Sequence, residues 1–229
     1  MAGNKFILGD CMDPEIGLPS YPDKYFDLAI IDPPYGIDYQ SARRSDNQRR
    51  HKKIVNDKAP FTKWIALLYH KLKDGGRVIC FYRWDVAHEF ISAFRAAGFN
   101  VIHELIWDKV IHGMNDLTAC PAPQHESAIY CTKGRYEFRS KRPKSIYRTP
   151  RVFAQTMIHP NEKPEWLYRR LTEDFANGDD VCLDLFAGSA NSIRVWESMG
   201  CEYVGYEIDP DYYAAAVKRM KAGIQKAMF

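Results

Sequence analysis

Long hydrophobic runs are missing from this 229-residue chain. No apolar stretch approaches the roughly 20 residues a membrane helix needs, and the amino terminus carries no secretory signal pattern. A soluble, cytoplasmic protein is the expectation. Paired cysteine spacing is missing as well: Cys11, Cys80, Cys120, Cys131, Cys182 and Cys201 include no C-x-x-C. Most of them fall in or beside apolar runs, which points to free buried thiols in a reducing compartment. His103, His112 and His125 stand near Cys120 in the sequence but match no standard metal spacing, so no metal is expected. There is no internal repeat or low-complexity tract, and 46% hydrophobic residues exclude disorder and allow a sizeable core. A G-x-G-x-x-G loop is also lacking, which argues against a phosphate cradle and so against a dinucleotide.

What is present begins with Asp32-Pro33-Pro34-Tyr35, placed directly after the apolar run Phe26 to Ile31. Leu28 to Ile31 has the length and branching of a buried strand, and two prolines then forbid both helix and ladder pairing. The carboxylate of Asp32 and the ring of Tyr35 are thereby held at the carboxyl end of a strand, where open α/β sheets bind ligands. Pro33 and Pro34 offer only backbone acceptors, so the site suits a neutral donor such as the amino group of a base, with Tyr35 as a stacking platform. A strand ending in a proline-rich turn with an exposed Asp would read the same to this point.

A second constellation lies near the other end. Asp180 to Leu185 is an apolar strand that runs into small residues, Phe186-Ala187-Gly188-Ser189-Ala190-Asn191, before a helical pattern opens at Ser192. Small residues at a strand-to-helix turn let the backbone approach a nucleoside closely. The next strand, Tyr203 to Tyr206, ends in Glu207-Ile208-Asp209-Pro210, and Glu207 is spaced to accept hydrogen bonds from ribose hydroxyls. A nucleoside cofactor without phosphates fits this pair of elements.

Charge is unevenly spread over a net +3. Residues 41–53 carry six Lys/Arg against Asp46, and residues 133–151 carry eight against Glu137, so two basic tracts sit on an acidic body. Tyr136, Phe138 and Tyr147 interleave the second tract. Solvated loops would account for either run alone; together they read as a footprint for a polyanion, with binding that weakens as salt rises.

Hydrophobic periodicity and Gly/Pro punctuation predict strands at 5–9, 27–31, 77–82, 101–107, 126–131, 181–185 and 202–207. Helices are predicted at 61–73, 84–97, 164–176, 190–199 and 210–225. Gly75-Gly76 and Gly98 read as helix stops. Repeated βα units imply an α/β fold with a mostly parallel, twisted, Rossmann-like sheet, and the two strands within 100–132 imply an antiparallel edge. Segment 133–158 has little periodicity, and with the 109–124 loop it reads as a small recognition lobe. Trp84 and Trp107 read as core.

Taken in order, Asp32-Pro-Pro-Tyr35, His159-Pro160-Asn161-Glu162-Lys163-Pro164 and Asp184-Leu-Phe-Ala-Gly-Ser-Ala190 resemble the beta group of S-adenosylmethionine-dependent DNA amino-methyltransferases. Gly9-Asp10-Cys11 and Glu207-Ile208-Asp209 are similar to two further elements of that group, so the resemblance spans nearly the whole chain. It implies a single methyltransferase domain over 1–229 with circularly rotated motif order, a basic loop at 38–58 and a target-recognition region at about 109–158. The implied catalytic set is Asp32, Pro33, Pro34 and Tyr35. The implied cofactor set is Asp10, Cys11, Asp32, Lys163, Asp184, Phe186, Ala187, Gly188, Ser189, Ala190, Asn191, Ser192, Glu207 and Asp209, with Asp10 near adenine, Glu207 near ribose and Lys163 near the methionine end. Duplex DNA is the implied partner, contacted by Arg43, Arg44, Arg49, Arg50, Lys52 and Lys53 of the first tract and Arg139, Lys141, Arg142, Lys144 and Arg148 of the second. Asp57 resembles a further acidic position of the family. Adenine N6 is favoured over cytosine N4, because N4 members more often carry Ser where Asp32 stands; an RNA target and a degenerate DNA-binding relative are the competing readings. Relatives often form homodimers, and a cognate restriction enzyme accompanies some. One departure stands out: Ala190 replaces the second glycine of the cofactor turn, which matters if that position needs positive φ.

Overall fold

Strand β2 (Phe26–Ile31) is buried on both faces, and the period of two sends Leu28 and Ile30 into one hydrophobic cluster and Ala29 and Ile31 into the other. The structure is a computed structural model and describes residues 3–36, 59–113, 118–139, 141–153 and 155–223. The basic tract 41–53 and Asp57 therefore lie outside the described residues.

Beside β2 run β3 (Leu72–Tyr82) and β7 (Val181–Asp184), both parallel to it. Beyond β7 come β8 (Glu202–Glu207) and β1 (Lys5–Leu8), again parallel. On the far side of β3 lie β5 (His125–Thr132), β4 (Asn100–Asp108) and the short β6 (Ile146–Arg148). The full order is β1-β8-β7-β2-β3-β5-β4-β6. One face is covered by α1 (Trp64–Lys71) and α2 (Ala87–Ala96), which contribute Trp64, Leu68, Phe90 and Phe94. The other is covered by α3 (Glu165–Phe175), α4 (Asn191–Met199) and α5 (Pro210–Lys221), through Leu167, Leu171, Phe175, Trp196 and Ala216. Helices on both faces of a mainly parallel sheet are what the alternating βα pattern predicts.

Four expectations need correction. The glycines at 75 and 76 do not stop a helix: α1 ends at Lys71 and Leu72 already pairs with Phe26, so Gly75-Gly76 sits inside β3 where the register against β2 shifts. Gly75, at φ +78°, donates its N–H to the Lys133 carbonyl at 2.7 Å and fastens the bulge to the end of β5. The helix placed at 84–97 begins as a single 3-10 turn, Trp84–Val86, and Trp84 is 81% exposed rather than core. The antiparallel element is not the sheet's edge, since β5 pairs antiparallel with both β3 and β4 and lies between them. The edge strand is β6, inside the segment of little periodicity, and it is anchored by the buried Tyr147, whose hydroxyl donates to Asp174 at 2.9 Å.

At the amino-terminal end of the sheet the buried Arg77 pairs with the buried Asp180 and donates to the Phe175 carbonyl at 2.7 and 3.0 Å. Asp180 also accepts from the Asn177 N–H at 2.6 Å, so this pair ties β3 to the loop between α3 and β7. Asp180→Ala would strand a buried guanidinium, and a loss of about 3–5 kcal/mol in urea-determined unfolding free energy is expected.

Candidate active site

Five segments end on the same edge of the sheet: Gly9 to Cys11 after β1, Asp32 to Tyr35 after β2, the 159–163 loop ahead of α3, Leu185 to Ser189 after β7, and Tyr206 to Asp209 at the end of β8. They line one open cleft with about 1020 Å³ of empty space including its mouth. The cleft straddles β7 and β2, where the chain turns from building one half of the sheet to building the other, as ligand sites in open α/β sheets do.

At the β2 side, Tyr35 donates its hydroxyl to Asp32, and Lys163 forms an ion pair with the other oxygen of the same carboxylate. The Asp32 side chain is only 17% exposed and that of Lys163 only 2%. Burial pushes Asp32 above the ordinary carboxylate range, while the Lys163 charge and the Tyr35 hydrogen bond pull it back. Burial alone would lower Lys163, but Asp32 and Glu126 outweigh it and hold the ammonium above its usual range. Lys163 Nζ also lies 3.4 Å from Glu126 on β5 and 4.5 Å from the centroid of the Phe81 ring. The Pro34 carbonyl accepts from the Phe61 N–H at 3.2 Å, and a backbone bridge joins Tyr35 to Pro60, so the Pro-Pro turn is braced by the segment entering α1.

At the β7 and β8 side, Glu207 accepts from the N–H groups of Gly188 and Asp209, each at 2.8 Å. Burial raises its pKa, and those donors oppose the rise. Gly188, at φ +51°, lies under the His159 ring, which a Cβ would meet at 3.3 Å; His159 in turn packs edge-on against Tyr212 with centroids 4.6 Å apart. Asp184 is buried behind the turn, accepting from the Phe186 N–H at 3.0 Å and the Ser192 hydroxyl at 2.5 Å, and burial pushes it up to about 7. The turn therefore presents a carboxylate, backbone and aromatic walls, the His159 ring among them.

A family model described as DNA methylase matches residues 26–218. The chain belongs to this family of N6-adenine and N4-cytosine amino-methyltransferases. A methylase of Escherichia coli (strain K12), YubD, is 28% identical and spans 98% of this chain and 93% of its own. Among solved structures, the M1.HpyAVI–SAM complex superimposes with a TM-score of 0.72 at 18% identity, covering 95% of this chain and all of that one. The cytosine-N4-specific PvuII DNA methyltransferase gives 0.73 at 16% identity, covering 96% of this chain and 87% of the other. At these identities the two structures share the fold.

Within this methylase, Asp10, Cys11, Asp32, Lys163, Phe186, Ala187, Gly188, Ser189, Glu207 and Asp209 all line the cleft. Asp10 also closes its own turn by accepting from the Met12 N–H at 2.9 Å, and Asp209 caps α5. Ala190, Asn191 and Ser192 stand behind the turn and are buried. Asn191 donates to Glu162 at 2.9 Å and to the Lys163 carbonyl at 2.8 Å, and Arg219 of α5 pairs with the same Glu162, so the Lys163 loop is fastened to α4 and α5. Sequence reasoning did not nominate Phe61, His159, Asn161, Glu162, Tyr168 or Tyr212, which also line the cleft, although the His159 to Pro164 motif pointed at three of them. It missed Glu126 altogether.

Among the described basic residues of the second tract, Arg148 stands at the cleft's edge of the sheet, 3.4 Å from Asp108 at the end of β4. Arg139 lies 3.7 Å from Asp179, ahead of β7 and thus at the opposite end of the sheet. Lys141, Arg142 and Lys144 are exposed along the strap between them.

Ala190 does adopt the left-handed conformation that its place in the turn raised as a question, with φ +58° and ψ +28°, and its methyl is fully buried. An L-residue pays about 1–2 kcal/mol there, partly offset by the smaller unfolded-state entropy of Ala than of Gly. Ala190→Gly is therefore expected to be neutral to stabilising by up to about 1 kcal/mol, whereas the β-branched Ala190→Val should lose more than about 2 kcal/mol in thermal melts.

Proposed function

We propose that this methylase transfers a methyl group from S-adenosylmethionine to the N6 amino group of adenine in duplex DNA, after the base has been flipped out of the helix. One observation carries the reading: a largely buried Asp32 carboxylate, held by Lys163 and Tyr35, opens into the same cleft as the Glu207 and Gly188 turn. S-adenosylmethionine is the cofactor. The donor set fits it: Glu207 and Asp10 are acceptors for a nucleoside, Phe186, Tyr206 and Ile208 supply apolar wall, and no cationic cradle calls for phosphate. When bound it would supply an electrophilic methyl on a sulfonium that leaves as the neutral thioether, and the nitrogen that gains the methyl gives up one of its protons to solvent by way of the hydrogen-bonded Asp32 carboxylate.

The chain's own residues address the other reactant. An exocyclic amino nitrogen is a poor nucleophile because its lone pair is delocalised into the ring. Hydrogen bonds from that group to the Asp32 carboxylate and the Pro33 carbonyl favour a pyramidal nitrogen whose lone pair is available. Tyr35 stacks on the base, and the dehydrated Asp32 charge is worth more here than in water. Positioning supplies the larger part of the rate, and flipping, which costs a few kcal/mol, is repaid by phosphate contacts and by filling the pocket. Adenine is preferred to cytosine because an Asp rather than a Ser heads the Pro-Pro-Tyr sequence.

Labelled methyl transfer to unmethylated duplex DNA, followed by digestion to nucleosides and mass spectrometry, tests the reading. Label in N6-methyladenine that is lost by at least about 100-fold in Asp32→Ala is expected. Label in N4-methylcytosine would retain the residues and overturn the base; label in RNA alone would overturn the substrate; no cofactor binding would leave a degenerate DNA-binding relative. Arg148→Ala should also weaken duplex binding and reduce the slope of log affinity against log salt by about one.

A further inference from the structure

Lys163 stands in a sequence position that resembles a cofactor element, yet its ammonium is spent on carboxylates: Asp32, and Glu126 at 3.4 Å. Glu126 is itself tied at 2.7 Å to Lys109, the first residue beyond β4 in the hairpin that leads to β5. An alternating chain of charges thus runs from Lys109 just past the end of β4 through Glu126 and Lys163 to Asp32.

We propose that Lys163 is a positioning residue for Asp32, aimed and balanced by Glu126, which keeps the carboxylate ionised and fixed in direction while it is out of water. The proposal rests on the reading that Asp32 receives the amino group. Its neighbours make the need plain. Among the described residues, the titratable groups facing Asp32 are Tyr35 on its own segment, Cys80 on β3, Glu126 on β5, Tyr168 on α3, Asp184 on β7 and Lys163 ahead of α3. Within that set Lys163 is the sole cation; Tyr35 adds a hydrogen bond to Asp32, and the remaining members repel its charge or leave it unpaired. The 159–163 loop is fastened by Glu162 to Asn191 and Arg219, so the ammonium is held from behind as well.

Lys163 and Glu126 should then act on Asp32 with opposite signs. Lys163→Met removes the compensating charge, raises the pH at which Asp32 gains its proton, and moves the acidic limb of the methyl-transfer profile upward by at least about one pH unit. Glu126→Gln removes a repelling charge and moves that limb downward. Lys163→Arg restores most of the position of the limb. The affinity for S-adenosylmethionine by calorimetry should stay within about 3-fold in all three variants, placing the loss in kcat rather than KM for the cofactor.

The full-length protein, with its aspartate carboxyls labelled with carbon-13, allows Asp32 to be titrated directly by NMR without DNA, against Asp32→Asn for assignment. An upward shift in Lys163→Met and a downward shift in Glu126→Gln support the proposal even if the wild type methylates neither DNA nor RNA, a result that would overturn only the reading of the substrate. An unmoved Asp32 titration, or a loss in Lys163→Met explained wholly by weaker cofactor binding, overturns it. Should Lys163→Met fail to fold, the absence of a downward shift in Glu126→Gln overturns it equally.

Discussion

A carboxylate held largely out of water needs partners for its charge, and at Asp32 those partners come from segments far apart in the chain. The strand that carries it is buried on both faces, so the site at its tip is poorly hydrated by construction. Burial by itself pushes the group toward its protonated form. The opposing charge comes from Lys163, about 130 positions away in sequence, on a loop pinned by Glu162, Asn191 and Arg219 to the helices that follow the cofactor turn. Cofactor half and target half are thereby linked through side chains as well as through the sheet. A shift of α4 or α5 would be felt at Asp32.

The parts of this site that were legible in the sequence are those in which one short segment contains both the scaffold and the chemistry. Asp32 is legible because an apolar strand and two prolines fix where the carboxylate must be, and the Gly188 turn with Glu207 is legible because strand, small residues and acid follow in one stretch. Glu126 was not legible, since an acidic residue at the start of a strand carries no local sign of a role. Its meaning comes from β5 entering antiparallel between β3 and β4, which brings the amino-terminal end of β5 to the edge where the parallel strands finish. The same reversal divides the basic tract after β5: it starts at the far end of the sheet, near Asp179, and returns with β6 to the cleft's edge, so charge density along the sequence did not translate into one surface.

Local rules also failed where tertiary pairing overrode them. A Gly-Gly pair after a helix ordinarily marks a stop, but Leu72 is buried against Phe26 and begins the strand five residues earlier than expected, leaving the glycines to absorb a bulge. Trp84 was assigned to the core from its residue type, whereas the 3-10 turn after β3 points it outward at the cleft's edge of the sheet. Ala190 is the inverse case. The sequence raised the question of a positive φ, and the backbone does take the left-handed conformation there, paying for it with a buried methyl and with an Arg194 N–H to Ala190 carbonyl bond that starts α4.

The strand order also explains why motifs in a rotated sequence can build an ordinary site. β1 and β8 lie almost 200 residues apart in the chain and are neighbours in the sheet, with Lys5 opposite Val204 and Leu8 opposite Glu207. Side chains at the tips of β8, β7 and β2 are positioned by register with adjacent strands, and register depends on which strands pair, not on the order in which the chain supplies them. The cleft opens where β7 and β2 pair at the middle of the sheet, because the chain leaves β2 toward α1 on one face and β7 toward α4 on the other. On one side of it stand the acceptors suited to a nucleoside, Glu207 and Asp10; on the other stands a charge-balanced carboxylate suited to an amine. In the proposed reaction that juxtaposition brings methyl donor and amino acceptor into one cleft, with Asp32 at the seam between them.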